Sequence, residues 1–255
     1  MDLGLADQVA LVTGASSGIG LATCRALARE GMRVVGVARR PVEGLGDAVT
    51  SVQIDLAEPG GPAAAVDAAV RGHGRLDVLV NNAGIGIVHR GFLDTPDDAW
   101  MQIFNMNVMA AARAIRAALP HLLERGGVIA NVSSINGQSP DSEIADYSAS
   151  KAALVSMAKA VSKEYADRRV RVVSVSPGPT ATPMWLGPQG AAAQFSAITG
   201  ADADAIVAEA ESQIPIGRFS TPEEVADAIA FLVSPRAASI TGVDLLIDGG
   251  LTETT

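Results

Sequence analysis

Short apolar segments rich in β-branched residues alternate along the chain with longer segments of helical periodicity. Strands separated by helices pair in parallel and need helices on both faces of their sheet, so we expect an α/β fold with a doubly wound parallel sheet. The predicted strands are residues 9–13, 33–38, 52–54, 78–80, 128–132, 171–175 and 243–247, and the predicted helices are residues 21–30, 61–72, 97–119, 147–166 and 222–233.

We expect a single domain over residues 1–255. A chain of 255 residues, 48% of them hydrophobic, can close one large core. Glycine and proline interrupt residues 39–51, which predicts a loop there rather than a full helix. An alanine-rich insertion at about 183–215 is long enough to act as a substrate loop or lid.

The net charge of −9 disfavours polyanionic partners. An acidic chain offers no basic face for nucleic-acid phosphates or anionic lipid headgroups, so we expect neither partner. The N-terminal sequence MDLGLADQVALVTG has no basic region before its apolar run, which predicts no signal peptide, and no run is long enough to span a membrane. The single cysteine, Cys24, excludes an internal disulfide, so we expect a reduced, cytoplasmic location.

The three histidines give no sign of a metal site. His73, His89 and His121 lack ligand-like spacing to one another or to cysteine. We interpret them as solvated or satisfied surface residues and expect no catalytic metal.

A glycine-rich turn joins the first predicted strand to the first predicted helix. Glycines let the backbone turn sharply and approach a pyrophosphate, and the free N–H groups at a helix start favour its charge. The spacing G-x-x-x-G-x-G differs from the G-x-G-x-x-G dinucleotide fingerprint, and a tight turn without a ligand is the alternative. The candidate dinucleotide-binding residues are Gly14, Ser16, Ser17, Gly18, Ile19 and Gly20.

Tyr147 and Lys151 lie four residues apart in a strongly helical segment, so they share one helix face. A nearby ammonium would stabilise the phenolate and lower the tyrosine pKa, which suits proton transfer at neutral pH. Ser134, at the end of the strand IANVSS, could donate to a substrate oxygen where parallel sheets bind ligands. Considered alone, the Tyr–Lys pair could be an ordinary surface pair.

Taken together, these motifs resemble those of the short-chain dehydrogenase/reductase family. They are TGASSGIG at 13–20, NNAG at 81–84, Ser134, YSASK at 147–151, PG at 177–178, PIGR at 215–218, PEEVA at 222–226 and DGG at 248–250. The resemblance spans essentially the whole chain. It implies a Rossmann-like domain that uses NAD(P) to interconvert a carbonyl and an alcohol.

The resemblance also implies roles for four catalytic residues. Tyr147 would protonate the carbonyl oxygen in reduction or deprotonate the alcohol in oxidation, and Lys151 would lower the tyrosine pKa and hold the nicotinamide ribose. Ser134 would hold the substrate oxygen. Asn107, in the segment NMNV, resembles the family asparagine that positions a proton-relay water.

Further residues match the family's cofactor contacts. Asn82, Ala83 and Gly84 resemble the segment beside the adenine ribose, with a structural turn at the sheet end as the alternative. Asp55 resembles the acid near the adenine ring but could cap a helix. Thr182 resembles a threonine that contacts the carboxamide or phosphates, although it could be a simple loop hydroxyl. The remaining candidate contacts are Leu56, Pro177, Gly178 and Thr180.

The end of the second predicted strand favours NADP. An acid there would bind both ribose hydroxyls of NAD and repel a 2′-phosphate, but the position holds Ala38, and Arg39 follows it. Two observations keep NAD possible. Many NADP-using relatives carry a basic residue at the position that Ser16 occupies here, and the short segment after Arg40 could reshape the pocket for the adenine ring.

The preferred function is an NADPH-dependent ketoreductase acting on a small molecule. The alternatives are an NAD-dependent alcohol dehydrogenase and a non-catalytic dinucleotide-binding protein. Met184, Trp185 and Phe195 could line an apolar pocket or serve only in packing, and the sequence names no substrate. The resemblance further implies a homo-oligomer, a tetramer or a dimer.

Overall fold

Seven parallel strands form one continuous sheet in the computed structural model, which describes residues 2–42 and 45–253. The order across the sheet is β3-β2-β1-β4-β5-β6-β7. The strands are β1 (Val9–Thr13), β2 (Arg33–Ala38), β3 (Val49–Gln53), β4 (Val78–Asn81), β5 (Gly127–Val132), β6 (Val170–Pro177) and β7 (Asp244–Ile247). This arrangement confirms the predicted doubly wound α/β fold.

Helices cover both faces of the sheet. They are α1 (Gly18–Arg29), α2 (Gly61–His73), α3 (Asp97–Phe104), α4 (Ala110–Arg125), α5 (Ala145–Tyr165), α6 (Pro183–Leu186), α7 (Ala191–Thr199), α8 (Ala203–Gln213) and α9 (Pro222–Val233). Within the described residues, no helix has both the length and the apolar character needed to cross a bilayer.

Alternation along β1 explains how one sheet supports two cores. Ala10 and Val12 face the core beneath α1 and α9, whereas Leu11 faces the core beneath α2, α4 and α5. Every residue of β1 is buried, so the strand lacks the polar alternation of a half-exposed sheet. Cys24 fills space in the first core, where burial raises the pKa of its thiol to about 12.

The direction of winding reverses at β1. This strand pairs with β2 on one side and with β4 on the other, so the loops that follow β1 and β4 diverge at the carboxyl end of the sheet. In open parallel sheets a crevice opens at such a point, outside the carboxyl ends of the strands. The glycine turn and the segment after Asn81 both lie there.

The third strand begins and ends earlier than residues 52–54, so its predicted bounds were wrong. It runs from Val49 to Gln53, although the Ile54 N–H still donates to the Ala38 carbonyl at 3.1 Å. As an edge strand it exposes Thr50 and Ser51, and it therefore lacks the apolar run by which a strand is recognised. The described residues between β2 and β3 contain no helix, as predicted, while residues 43 and 44 lie outside the described part.

The helix predicted at 97–119 was also wrong in its form. It is divided into α3 and α4 by a π-helical turn, Asn105–Met109, and α4 continues to Arg125. A π turn adds one residue to a helix and changes the direction of the side chains within it, which periodicity alone does not reveal.

The insertion predicted as a loop contains α6, α7 and α8, and Trp185 packs edge-on against Phe219 with ring centroids 5.1 Å apart.

Candidate active site

The glycine turn is held in a conformation that favours glycine. Gly14 and Gly18 have φ angles of 65° and 54°, in the left-handed region that side chains rarely adopt. A Cβ on Gly20 would collide with the Gly14 carbonyl oxygen. The helix α1 begins at Gly18, and the Ser17 side chain makes no capping hydrogen bond, so it leaves the first N–H groups of the helix uncapped beside the crevice that these residues line.

Asn82 ties the segment after β4 to this turn. Its side-chain amide donates to the carbonyl oxygens of Thr13 at 2.9 Å and Gly14 at 3.3 Å. The backbone N–H groups of Asn82 and Ala83 both donate to the Thr13 hydroxyl, at 2.9 and 3.0 Å. The Asn82 side chain therefore stabilises the turn at the end of the sheet, which was the alternative to cofactor contact. Asn82 also lines the crevice.

A cavity of about 660 Å³ extends from the glycine turn past the ends of β2 and β3. Arg39 and Ala38 line it where the 2′ position of an adenine ribose would be read. Asp55 also lines it, and one carboxylate oxygen accepts the Ala57 N–H at 2.9 Å, so this residue caps a turn as well. The predicted cofactor residues in its wall are Gly14, Ser16, Ser17, Gly18, Ile19, Arg39, Asp55, Leu56, Asn82, Ala83, Gly84 and Thr182.

A second cavity, of about 290 Å³, adjoins the first and contains the predicted catalytic groups. Tyr147, Lys151 and Ser134 line it. The predicted cofactor residues Pro177, Gly178 and Thr180 form part of its wall. The two cavities share Ile19, Asn82, Gly84, Thr182 and Met184, so a ligand as long as a dinucleotide can extend from one into the other.

Tyr147 and Lys151 lie together on α5, as their spacing predicts. The Lys151 Nζ lies 5.5 Å from the centroid of the Tyr147 ring and donates to the Val132 carbonyl at 2.9 Å. Burial lowers the pKa of Lys151 to about 8. The Lys151 ammonium is therefore anchored to the end of β5 and loses its proton more readily than an exposed lysine.

The expected lowering of the Tyr147 pKa was wrong for this structure. Burial raises the pKa of Tyr147, and a hydrogen bond with Ser134 only partly opposes the effect. The physical cause is desolvation, which disfavours the phenolate and the Lys151 ammonium alike. The Lys151 side chain also points its Nζ at the Val132 carbonyl rather than at the phenol oxygen.

Ser134 lies just beyond β5 and is held by Asn136. Its hydroxyl donates to Asn136 Oδ1 at 3.1 Å and accepts the Asn136 N–H at 3.2 Å, so it caps the short turn Ile135–Gly137. Ser134 is 7% exposed and lines the second cavity.

Asn107 lies in the π turn and is buried. Its amide donates to the Ile85 carbonyl and to the Ser150 hydroxyl, both at 3.0 Å, and its Oδ1 accepts the Ile85 N–H at 2.9 Å. Because both amide protons are engaged, the side chain fixes the segment after β4 rather than offering a free donor to water. A Cβ on Gly84 would lie 3.2 Å from Asn107 Oδ1 and 3.5 Å from Lys151 Nζ. Both side chains therefore pack closely against the Gly84 backbone.

Sequence reasoning did not identify Ser150 as part of this site. The Ser150 hydroxyl accepts a hydrogen bond from the Asn107 amide and donates one to the Tyr147 carbonyl at 2.6 Å, which links the π turn to α5. Its position three residues after Tyr147, on the same helix, was the available signal.

His89 and Asp146 form a second contact that the sequence did not reveal, and the surface interpretation of His89 was wrong. The His89 Nε2 lies 3.3 Å from Asp146 Oδ2, with the side chains 9% and 0% exposed. Asp146 Oδ1 accepts the Tyr147 N–H at 2.8 Å, and the His89 N–H donates to the Glu143 carbonyl at 2.8 Å. The segment after β4 is thereby joined to the start of α5.

The described residues contain no cluster of three or more His, Cys, Asp or Glu side chains arranged to hold a metal ion. The groups that the site does present are a phenol, an ammonium, hydroxyls, amides and the glycine turn at the start of α1. These groups can bind a dinucleotide, hold a carbonyl oxygen and transfer a proton to it.

Comparison with known proteins agrees with this chemistry. The family model described as enoyl-(acyl carrier protein) reductase matches residues 14–252. The chain is 36% identical to 3beta-hydroxysteroid dehydrogenase 1 of Eggerthella lenta, over 97% of this chain and 95% of the relative. It is 34% identical to the 3-oxoacyl-[acyl-carrier-protein] reductase of Thermotoga maritima, over 97% and 98% of the two chains.

Solved structures agree as well. The L-sorbose reductase of Gluconobacter frateurii, complexed with NADPH and L-sorbose, superposes with a TM-score of 0.91 at 34% identity, over 100% of both chains. A 3-ketoacyl-(acyl-carrier-protein) reductase of Brucella melitensis, complexed with NADH, gives a TM-score of 0.86 at 34% identity, over 97% of this chain and 99% of the other. This chain belongs to the short-chain dehydrogenase/reductase family and is an NAD(P)-dependent oxidoreductase that interconverts a carbonyl and an alcohol.

Proposed function

We propose that this protein is an NADPH-dependent reductase that converts a small-molecule ketone into a secondary alcohol. The observation that carries the proposal is the meeting of two cavities. One contains the anion-binding turn and Arg39, and the other contains Tyr147, Ser134 and Lys151. A bound NADPH would supply the hydride, so the chain needs only to position the reactants and manage a proton.

Proton transfer is assigned to Tyr147. In reduction it gives its phenolic proton to the carbonyl oxygen as that oxygen becomes negative. The raised pKa of Tyr147 keeps the phenol protonated at neutral pH, which is the form that a general acid requires. The Ser134 hydroxyl, which donates to Asn136 Oδ1 in this structure, would turn to donate a second hydrogen bond to the same oxygen.

Three further residues position Tyr147 or supply it with a proton. Lys151, anchored to Val132, would hold the nicotinamide ribose and return a proton toward Tyr147, which its pKa of about 8 allows near neutral pH. Asn107 and Ser150 connect the π turn to the Tyr147 carbonyl and so hold the helix in register. We assign Asn107 this positioning role in addition to any part in a water relay.

The preference for NADPH rests on the end of β2. Ala38 offers no carboxylate to the ribose hydroxyls, and the exposed Arg39 lines the cavity where a 2′-phosphate would lie. A guanidinium binds a phosphate by charge-assisted hydrogen bonds. Arg40 lines the same cavity and adds to the positive potential there.

We also propose that the protein acts as a homo-oligomer in the cytoplasm. Large apolar side chains are exposed around α3 and the π turn: Phe92 is 68% exposed, Leu93 99%, Met101 72% and Met109 40%. A second copy of the chain that covers this face would remove the apolar surface from water. Light scattering of the purified protein measures the assembly directly, and a monomeric mass would contradict this part of the proposal.

Initial-rate measurements with NADPH and NADH on a panel of ketones test the proposed reaction. We expect one alcohol formed per NADPH consumed, with kcat/KM for NADPH exceeding that for NADH by about tenfold, the equivalent of one charge-assisted contact. A preference for NADH would favour the NAD-dependent dehydrogenase instead. Binding of NADPH without turnover of any ketone would favour a non-catalytic dinucleotide-binding protein.

A further inference from the structure

The second cavity also limits the substrates that can enter it. Its substrate side is built from residues 135–150, which precede and begin α5, and from residues 183–215, which contain α6 to α8. Most side chains that these segments and their neighbours place in the wall are apolar. They are Val88, Ile135, Ile144, Met184, Trp185 and Phe195.

The polar side chains in this wall are largely occupied by the protein itself. Gln194 accepts the Val88 N–H at 2.8 Å and donates to the Gln189 carbonyl at 3.0 Å. Asn136 is bonded to Ser134 and donates to the Ser139 carbonyl at 3.3 Å. The wall therefore presents an apolar surface to the body of a substrate, while Ser134 and Tyr147 face its oxygen.

The charged residues in and around the cavity are mostly acidic. Residues 135–150 and 172–217 contain no Lys, Arg or His. Among the described residues that line the cavity, Lys151 is the only cation, and its Nζ is bonded to the Val132 carbonyl at 2.9 Å. Arg90, exposed on the segment after β4, is not part of the wall. The acids in the two segments are Asp141, Glu143, Asp146, Asp202, Asp204, Glu209 and Glu211.

Asp141 brings part of this negative charge into the wall. It lines the cavity and is exposed to solvent, and we therefore place its carboxylate at the opening of the cavity. A carboxylate, phosphate or sulfonate on a substrate would meet an apolar wall without a cationic partner and a like charge at the opening. Both conditions are unfavourable for an anion, whereas an uncharged group avoids them.

We propose that this site selects compact, uncharged ketones and secondary alcohols and rejects those that carry an anionic group away from the reacting carbon. The proposal rests on the carbonyl–alcohol chemistry proposed above. Compactness follows from the volume of about 290 Å³, which is just below the range of about 300–1,000 Å³ for ligand pockets and which the nicotinamide of a bound cofactor would partly fill. Neutrality follows from the composition of the wall.

A pair of substrates that differ in charge tests the proposal. Methyl 4-oxocyclohexanecarboxylate and its free acid share the ring and the ketone, and at pH 7 only the acid is an anion. We expect kcat/KM with NADPH to be about tenfold or more higher for the ester, because an unpaired charge entering the wall is disfavoured. An acid used as well as the ester would overturn the proposal.

Substitutions at Asp141 show whether the charge of the wall causes the selection. Asp141→Lys adds a cation at the opening and should raise kcat/KM for the acid relative to the ester by severalfold. Asp141→Asn is the matched control, because it removes the carboxylate without supplying a cation, and it should produce a smaller rise. An unchanged ratio in Asp141→Lys would contradict the role of charge at this position.

A binding measurement separates this proposal from the proposed reaction. Calorimetric titration of the Tyr147→Phe variant, saturated with NADPH, reports the affinity for the ester and the acid without turnover. Tighter binding of the ester supports the charge selection even where the wild-type protein reduces neither compound, an outcome that would contradict only the reductase function. Equal or tighter binding of the acid contradicts the charge selection, whatever the catalytic activity.

Discussion

Tyr147 and Lys151 share one face of α5, and their electrostatics show why spacing alone does not determine a pKa. Proximity of an ammonium lowers a phenol pKa only when the attraction exceeds the cost of burying both charges. Here burial raises the pKa of Tyr147 and lowers that of Lys151 to about 8, while the Lys151 Nζ donates to the Val132 carbonyl. The pair therefore favours a protonated tyrosine and an easily deprotonated lysine.

The depressed pKa of Lys151 predicts a pH-dependent stability. Between its folded pKa of about 8 and the usual 10.5, the unfolded chain binds more protons, so stability rises with pH in this window. From pH 8 to 9.5 we expect the free energy of unfolding of the wild type to increase by about 1.5 kcal/mol relative to Lys151→Met. Urea unfolding at several pH values measures the difference. Parallel curves for the two proteins would contradict the depressed pKa.

The glycine turn makes a second prediction at this scale. Gly20→Ala places a methyl group against the Gly14 carbonyl, which must move, and we expect the Kd for NADPH to rise by about tenfold or more. Gly72→Ala is the matched control, because that exposed position in α2 has no atom within 4 Å of the added Cβ. The control should keep its affinity and gain about 0.5–1 kcal/mol of stability. Equal affinity in both variants would show that the turn does not bind the cofactor.

Among the secondary-structure elements, those that depend on local patterns were predicted and those that depend on distant contacts were not. Buried strands such as β1 and β2 follow from their apolar runs. The edge strand β3, with exposed Thr50 and Ser51, carries no such run. The π turn between α3 and α4 includes Asn107, whose side-chain contacts lie 22 and 43 residues away along the chain.

The same limit applies to the site. Tyr147 and Lys151 are recognisable because they are neighbours on one helix, and Ser134 because it ends a strand. His89 and Asp146 are 57 residues apart and belong to no local motif, so only the folded chain brings them together. The roles of the buried amides were equally hidden, since their partners are carbonyls and hydroxyls of other elements.

The contact between His89 and Asp146 predicts a loss of stability when one partner is removed. His89→Leu leaves the buried Asp146 without one hydrogen-bond partner, which typically costs about 1–3 kcal/mol. The double variant His89→Leu/Asp146→Asn removes the charge but keeps an oxygen for the Tyr147 N–H. We expect it to be more stable than His89→Leu alone, as measured by urea unfolding. A double variant that is less stable than the single variant would argue against an unpartnered side chain at Asp146 as the cause of the loss.

For the whole molecule, the reversal of winding at β1 brings binding and chemistry to one edge of the sheet. The glycine turn follows β1, Ser134 follows β5, and Tyr147, on α5, lines the same cavity as Ser134. The cavities on the two sides of this edge share only part of their walls. The glycine turn and Arg39 lie outside the set of proton-transfer residues, so cofactor affinity can be altered there without changing Tyr147, whereas Lys151 serves both functions in the proposed reaction.

The most direct test of this account is the Tyr147→Phe variant, measured for NADPH affinity and for kcat on a ketone that the wild type reduces. Removing the hydroxyl deletes the proton donor but leaves the turn, Arg39 and the ring in place. We predict a Kd for NADPH within about threefold of the wild type, and a kcat lower by about 10²- to 10⁴-fold, the usual contribution of a general acid. An unchanged kcat would contradict the assignment of Tyr147 as the proton donor.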